Sequence, residues 1–413
     1  MQNPEPEDIA QLQLERLQST LNRADKNVPF HRNRFLKAGI DLSQIEKISD
    51  LVRFPFMERK HLGEHYPYGL FAVPLRDIVR IHTAPGTMTN PTVSGYTKSD
   101  LLLWQDVVAR ALAASGVTAH DIVQIRFDAG LANWGRDYKS GAEAMEASVI
   151  PNTSLSIGKQ LMVTRDYKTS VFITTPSVAS LFASQIFKSE INPTCLNLKT
   201  LILVGEYVDD EFRKRIEDQL HVKTWLHYGL SEVPGPSLAF ECKYHNGLHV
   251  NEDHFLPEII DPETGELLKD GETGELVLTT LTTRAFPLIR FRTGDRACLI
   301  RKPCECKNPL IRIKWFENRT DDLLSIGGVK VHHKQIRYHI ERSLGTVPTC
   351  YHFVKKDNGT KNLLEIWIAV DENLFSDEIK MLERLMHSTG DYLQENLGVP
   401  VRIRLKEKSS VSI

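Results

Sequence analysis

Between Ile122 and Leu226, short apolar runs alternate with helical segments, and no other feature constrains the fold as much. Strands are predicted at Ile122–Phe127, Ser148–Pro151, Ser170–Thr174, Leu201–Val204 and Val222–Leu226. Helices are predicted between them at Lys139–Ala147, Ser156–Val163 and Ser177–Phe187. Apolar strands joined by helical crossovers are stacked βαβ units with parallel strands, which makes this an α/β chain. Upstream, Ile9–Asn27 carries Leu14, Leu17 and Leu21 near helical spacing, and Asp77–Ile81 reads as a strand. A helix over Lys98–Ser115 opens with Ser99-Asp100 as its cap. Ligands of such folds collect at the carboxyl ends of the strands. Gly86, Gly130, Gly205 and Gly229 each follow soon after a predicted strand, so they can converge on one cleft.

The last of these strands runs into Tyr228-Gly229-Leu230-Ser231-Glu232. Glycine permits a sharp turn there because it has no Cβ. The turn delivers an aromatic ring, a hydroxyl and a carboxylate, which can stack on a base, bond a phosphoryl oxygen and hold a hard cation. A strand end with a polar turn has the same composition, so the cluster alone leaves both readings open.

Past Cys242 the texture changes to strands and turns. Strands are predicted at Leu248–Val250, Glu258–Asp261, Glu275–Thr280, Ile289–Arg292 and Ala297–Ile300, a β-rich subdomain over about residues 243–318. A chain of 413 residues is too long for one ordinary core. The division is expected at the charged stretch Glu317–Asp322, giving a large part over 1–318 and a small α/β cap over 319–413. In the cap, helices are predicted at His333–Ser343 and Asp377–Asn396, with strands at His352–Val354, Leu364–Val370 and Val401–Leu405.

Charge excludes one class of partner. Lys+Arg 51 against Asp+Glu 53 leaves no global basic field for nucleic acid. The run Arg213-Lys214-Arg215 beside Asp209, Asp210 and Glu211 reads as a solvated helix face. No apolar run reaches membrane-spanning length, and Met1–Glu5 shows no basic-then-apolar leader, so a cytoplasmic protein is expected. Six cysteines are too few for a disulfide scaffold. Cys242 and His249 form a Cys-x₆-His pair, and Cys304-Glu305-Cys306 a C-x-C pair. Thiolate and imidazole suit tetrahedral zinc, and a closed set of this kind would be structural. The competing reading is free buried cysteines with a loop histidine. Cys195, Cys298 and Cys350 read as ordinary buried thiols.

Tyr228–Glu232, with Gly235-Pro236 and Glu241-Cys242 after it, resembles the core motif of phenylacetate–CoA ligases. These belong to the adenylate-forming superfamily of acyl-CoA synthetases, peptide-synthetase adenylation domains and luciferases. The similarity runs from about Val28 to about Arg404. It implies a reaction in which a carboxylate and Mg·ATP give acyl-AMP and pyrophosphate, after which a thiol, coenzyme A, displaces AMP. It also implies roles for residues. Gly205-Glu206-Tyr207 lie beside the nucleotide base with Tyr228 across from them, and Gly229 and Ser231 complete that side. Asp295, in Arg290-Phe291-Arg292-Thr293-Gly294-Asp295, grips the ribose hydroxyls, and a carboxylate can accept both protons. Glu232 holds Mg²⁺, Arg319 reaches ribose or phosphate, and Asp321-Asp322 form the pivot of the cap. The loop Asp128-Ala129-Gly130, with Trp134 and Tyr138, walls the acid pocket. Trp134, Tyr138 and Arg136 suggest an aromatic or polar-substituted acid, while Asp128, Arg136 and Asp137 argue against a plain phenylacetate pocket. A homodimer is the general default.

Two departures matter. In the phosphate-loop stretch His82–Thr92, the family's lysine is Asn90, the preceding glycine is Thr89, and two serines are Ala84 and Pro85. Proline has no N–H to offer a phosphate, which leaves Thr83, Gly86 and Thr87 as donors. The superfamily also carries a charge-neutralising lysine near its C-terminus. Lys406 and Lys408 sit too early for that role, and the sequence ends at Ile413. A rival expectation therefore stands beside the ligase: a homologue that binds nucleotide, acyl-adenylate or a partner protein without adenylating. An enzyme of the second half-reaction alone is a further option.

Overall fold

The structure, a computed structural model, describes residues 6–84, 90–128, 131–152, 155–233, 235–321, 323–344, 351–357, 362–370 and 379–407. Pro85, Gly86, Thr87, Thr89, Ala129, Gly130, Asp322, Cys350 and Lys408, all discussed above, lie outside the described residues.

The chain opens with α1 (Pro6–Asn27), which buries Leu17, Leu21 and Ala24. A second helix, α2 (Pro29–Lys37), follows at once. The first helix ends at Asn27 as expected, and Pro29 opens the second, because at the first helical position proline loses no hydrogen bond and its φ is already helical. After α3 (Arg59–Glu64), β1 (Arg80–Ala84) pairs antiparallel with β2 (Thr92–Tyr96). β1 starts later than expected because Leu75–Asp77 forms a 3₁₀ turn. The cap of α4 (Lys98–Ala114) is Thr97 rather than Ser99-Asp100. Thr97 Oγ1 accepts from the Asp100 amide at 3.1 Å while the Asp100 carboxylate accepts from the Thr97 amide at 2.8 Å, a reciprocal capping box.

The predicted alternation then follows as β3 (Ile122–Arg126), α5 (Ala132–Ala144), β4 (Ser148–Ile150), α6 (Ile157–Asp166), β5 (Val171–Thr174) and α7 (Pro176–Lys188). It continues with β6 (Thr200–Val204), α8 (Asp210–Leu220) and β7 (Lys223–Tyr228). Five strands in the order β4-β3-β5-β6-β7 are parallel, which bears out the α/β fold class. Phe172, Ile173, Leu201 and Ile202 have no exposed surface, as expected of parallel strands covered on both faces. Phe172→Ala should cost about 3–5 kcal/mol in a urea unfolding series.

β8 (Ala239–Glu241), β9 (Leu248–Val250), β10 (Phe255–Ile260), β11 (Gly274–Thr280), β12 (Phe291–Ile300) and β13 (Arg312–Arg319) extend this sheet to eleven strands, all joining antiparallel. The two strands expected at Ile289–Arg292 and Ala297–Ile300 are one strand, β12. Gly294, at φ +74°, bends it where its register on β13 shifts between Asp295 and Arg296. A bulge of this kind re-aims a side chain, and here the side chain is Asp295.

The last elements are the hairpin β14 (Leu323–Ile326) and β15 (Val329–His332), then α9 (His333–Leu344), β16 (Tyr351–Asp357), β17 (Asn362–Val370), α10 (Ile379–Leu397) and β18 (Val401–Glu407). β16, β17 and β18 form a separate sheet. Among the described residues, no strand after Arg319 joins the eleven-stranded sheet. None of their helices is long and apolar enough to cross a membrane. Cys298 is buried as expected, but Cys195, at the end of a 3₁₀ turn, is exposed.

Candidate active site

A cavity of about 360 Å³ opens at the carboxyl ends of β6 and β7. β6 delivers Gly205, Glu206 and Tyr207, and β7 delivers Tyr228, Gly229 and Ser231. The close turn is possible because a Cβ on Gly229 would sit 2.7 Å from the Pro236 backbone. Across the cavity stand Asp295 of β12 and Arg319 of β13. Eight of the residues expected around a nucleotide thus line one cavity, brought together from segments far apart.

Asp295 is the electrostatic centre. Its Oδ2 accepts from the Tyr228 hydroxyl at 2.7 Å and from Lys330 Nζ at 3.1 Å, and its Oδ1 is paired with Arg319. Burial opposes charge on this carboxylate, yet Lys330, Arg319 and the Tyr228 hydroxyl hold it down at about 2. Arg319 is fixed in turn by a bidentate pair with Asp321, both contacts at 2.7 Å, and by donation to the Thr293 carbonyl. Burial and the neighbouring Arg319 bring Lys330 down to about 7, against the pull of Asp295. Burial, then Asp295, pushes Tyr228 well above the ordinary phenol value.

Among the wall residues that the sequence did not single out as a site, Trp315, Lys330 and Gly328 matter most. Trp315 of β13 meets Tyr228 edge-on at 5.1 Å and Tyr207 at 5.9 Å, so the aromatic slot has three rings rather than two. Lys330 and Gly328 enter from the β14–β15 hairpin. A Cβ on Gly328, at φ +79°, would lie 2.7 Å from Leu131, so the hairpin turn can approach Gly205 only as glycine. No strand is predicted over Arg312–Arg319, where charge interrupts the apolar pattern, and a lysine just past a Gly-Gly turn is the signal for Lys330.

Other expected residues lie elsewhere. Glu232 is fully buried behind the wall; it forms an ion pair with Arg59, and Ser231 Oγ lies 3.3 Å from it. Thr83 is exposed on β1, and the Asn90 amide donates to the Gly63 carbonyl of α3. Of the acid-pocket set, Trp134 lines the cavity. Tyr138 does not: its ring packs between Phe127 and His227, and its hydroxyl lies 2.9 Å from His227 Nδ1. That correction follows from α5 starting at Ala132, which turns Tyr138 into the core. Asp128 is an exposed partner of Arg126, Asp137 is buried against Arg80, and Arg136 is exposed. None of the three lines the cavity, so the case they made against an apolar acid falls. Gly205 adjoins Trp134 in the wall, where a Cβ would lie 3.3 Å from the indole ring.

A second constellation lies between β8–β9 and the β12–β13 connection. One ligand atom from each of Cys242, His249, Cys304 and Cys306 falls within 4.8 Å of all the others. The Cys242 and Cys304 sulfurs are 3.6 Å apart, and Cys306 Sγ is 3.3 Å from His249 Nε2. Tetrahedral zinc at its usual bond lengths separates two sulfurs by about 3.8 Å. His249 Nδ1 lies 3.1 Å from the Leu310 carbonyl, which fixes the tautomer that leaves Nε2 free to ligate.

No protein-family model matches the chain. It is 36% identical over 412 residues to the phenylacetate–coenzyme A ligase of Thermus thermophilus, covering 97% of this chain and 92% of that protein. The chain belongs to the phenylacetate–coenzyme A ligase family. The Escherichia coli ligase of that name is 37% identical over 407 residues, covering 98% of this chain and 92% of its own. Among solved structures, 2-hydroxyisobutyryl-CoA ligase with its acyl-AMP and CoA, in the thioesterification state, superposes with a TM-score of 0.91 at 23% identity. That match covers 100% of this chain and 89% of the other. The same ligase in its postadenylation state gives 0.73. At this identity the likeness speaks to fold, and the higher score belongs to the thioester-forming arrangement. The resemblance drawn from Tyr228–Glu232 and Asp295 is therefore borne out at the level of the phenylacetate–coenzyme A ligase family.

Proposed function

We propose that this chain is an AMP-forming ligase that joins a carboxylic acid, aromatic by the character of its pocket wall, to coenzyme A. The carboxylate oxygen attacks the α-phosphorus of ATP and pyrophosphate leaves. The thiol sulfur then attacks the acyl carbon, its proton is released, and AMP departs with the former carboxylate oxygen. The observation that carries this reading is Asp295, buried and held ionised by Lys330, Arg319 and Tyr228 at the strand ends of a family member.

Asp295 would take the two ribose hydroxyls, which releases Lys330 and Arg319 toward the phosphate. Tyr207, Trp315 and Tyr228 offer the base its aromatic slot, and Gly205, Glu206, Gly229 and Ser231 line the approach. We assign Glu232 to Mg²⁺, because a carboxylate is the ligand a hard cation takes, and the ion would neutralise charge on the phosphates of ATP. Residues 1–318 would form the large domain and 319–413 the cap, turning about Arg319–Asp321; the ending of the large sheet at Arg319 supports that boundary. Zinc at Cys242, His249, Cys304 and Cys306 would be structural, since all four positions are filled by protein. Free thiolates persist in a reducing compartment, which supports a cytoplasmic location. A homodimer of the 47.0 kDa chain is tested by light scattering.

A single-turnover experiment tests the two-step reading. With Mg·ATP and a substrate acid but no coenzyme A, acyl-AMP should accumulate on the enzyme, and added coenzyme A should consume it within one turnover. Thioester formed with no adenylate trapped, at any quench time, would contradict the scheme.

A further inference from the structure

Glu232 has no exposed surface, and a carboxylate so placed needs a counter-charge. The structure supplies one from outside every motif. Arg59, the first residue of α3, forms an ion pair with Glu232 and lies 5.7 Å over the Phe291 ring. The two side chains are 11% and 0% exposed. α3 is tied to the stem of the β1–β2 connection, where the Asn90 amide donates to the Gly63 carbonyl at 3.1 Å. The loop position that lacks a lysine is thus fastened to a helix that carries an arginine. Burial, then Arg319, brings Arg59 down to about 10 against the pull of Asp321 and Asp295, so it stays cationic at neutral pH.

We propose that Arg59 is an exchangeable counter-ion: it holds Glu232 when no nucleotide is bound and moves to the phosphates of ATP when Glu232 takes magnesium. This rests on the assignment of Glu232 to the metal. Two cations on one buried carboxylate leave surplus positive charge unless phosphate arrives with them. A guanidinium tethered at Glu232 therefore competes with bare metal ion, whereas Mg·ATP brings oxygens that its planar fork can bind in pairs. Once pyrophosphate has left with the metal, Arg59 returns to Glu232 and neutralises it for the thiol step. That paired state is the one found here, in the arrangement that matches the thioester-forming ligase.

The test is Mn²⁺ binding by electron paramagnetic resonance, with and without ATP, alongside ATP binding by calorimetry. The proteins are wild type, Arg59→Met, Arg59→Gln and Glu232→Gln, each checked by thermal melting. Removing the arginine charge should tighten nucleotide-free Mn²⁺ binding about tenfold and weaken ATP by a similar factor, the size usual for coupled sites. Arg59→Gln carries the test if the methionine variant does not fold. Glu232→Gln should lose the metal in both conditions. If Glu232→Gln binds Mn²⁺·ATP as wild type does, the metal assignment falls and the exchange with it. If it loses the metal while a folded Arg59 variant binds both Mn²⁺ and ATP like wild type, the exchange alone is overturned.

Discussion

Asp295→Ala is expected to lower kcat/KM by about 10²–10⁴-fold, with AMP affinity falling in parallel. Two charge-assisted hydrogen bonds from the ribose hydroxyls would be lost, at roughly 1.5–3 kcal/mol each. The variant also strands Lys330 and Arg319 as buried cations without their shared partner, and breaking such a pair costs about 3–5 kcal/mol. Asp295→Asn separates the two effects. It preserves shape and one acceptor, so its melting temperature should stay closer to wild type while AMP binding by calorimetry still falls. An asparagine variant with wild-type AMP affinity would remove Asp295 from the ribose.

The second large effect concerns the thiolate cluster. Purified protein should contain one zinc per chain by mass spectrometry, and Cys304→Ser with Cys306→Ser should release it. A zinc held by the set would fasten Cys242, after β8, and His249 of β9 to the connection between β12 and β13. Without metal, three thiols and an imidazole would be left packed in place of one bonded centre, and binding free energy becomes lost folding free energy. A loss of about 3–5 kcal/mol would lower the melting temperature by roughly 5–10 °C, since large chains shift about 2 °C per kcal/mol. Turnover of the folded fraction should change little, because none of the four residues lines the active cavity. Metal-free protein after chelator-free purification would retire the zinc assignment and leave the fold untouched.

What could be read from the sequence follows from how local each signal is. The βαβ alternation is a pattern within a few residues, and it places Gly205, Tyr228 and their strands correctly. The family resemblance adds Asp295 and Arg319, and the fold brings them to the same cavity. Misreadings cluster where a local signal has two meanings. Pro29 ends one helix and starts the next. The helix expected over Lys139–Ala147 begins at Ala132, and that shift turns Tyr138 inward and leaves Trp134 at the wall. Gly294 looked like a break between strands and is a bulge within one. Arg59 could not have been found, because its importance lies only in meeting Glu232, 173 residues later in the chain. Adjacent residues also separate: Ser231 faces the cavity and Glu232 the interior.

The central claim is adenylation, and carboxylate-dependent ATP–pyrophosphate exchange over a panel of aryl and alkyl acids tests it most directly. Exchange should require magnesium, be strongest with an aryl acid, need no coenzyme A and be lost in Asp295→Ala. Protein that is folded and binds ATP yet gives no exchange with any acid would contradict it, and would move the chain to the homologues that hold a nucleotide or adenylate without making one.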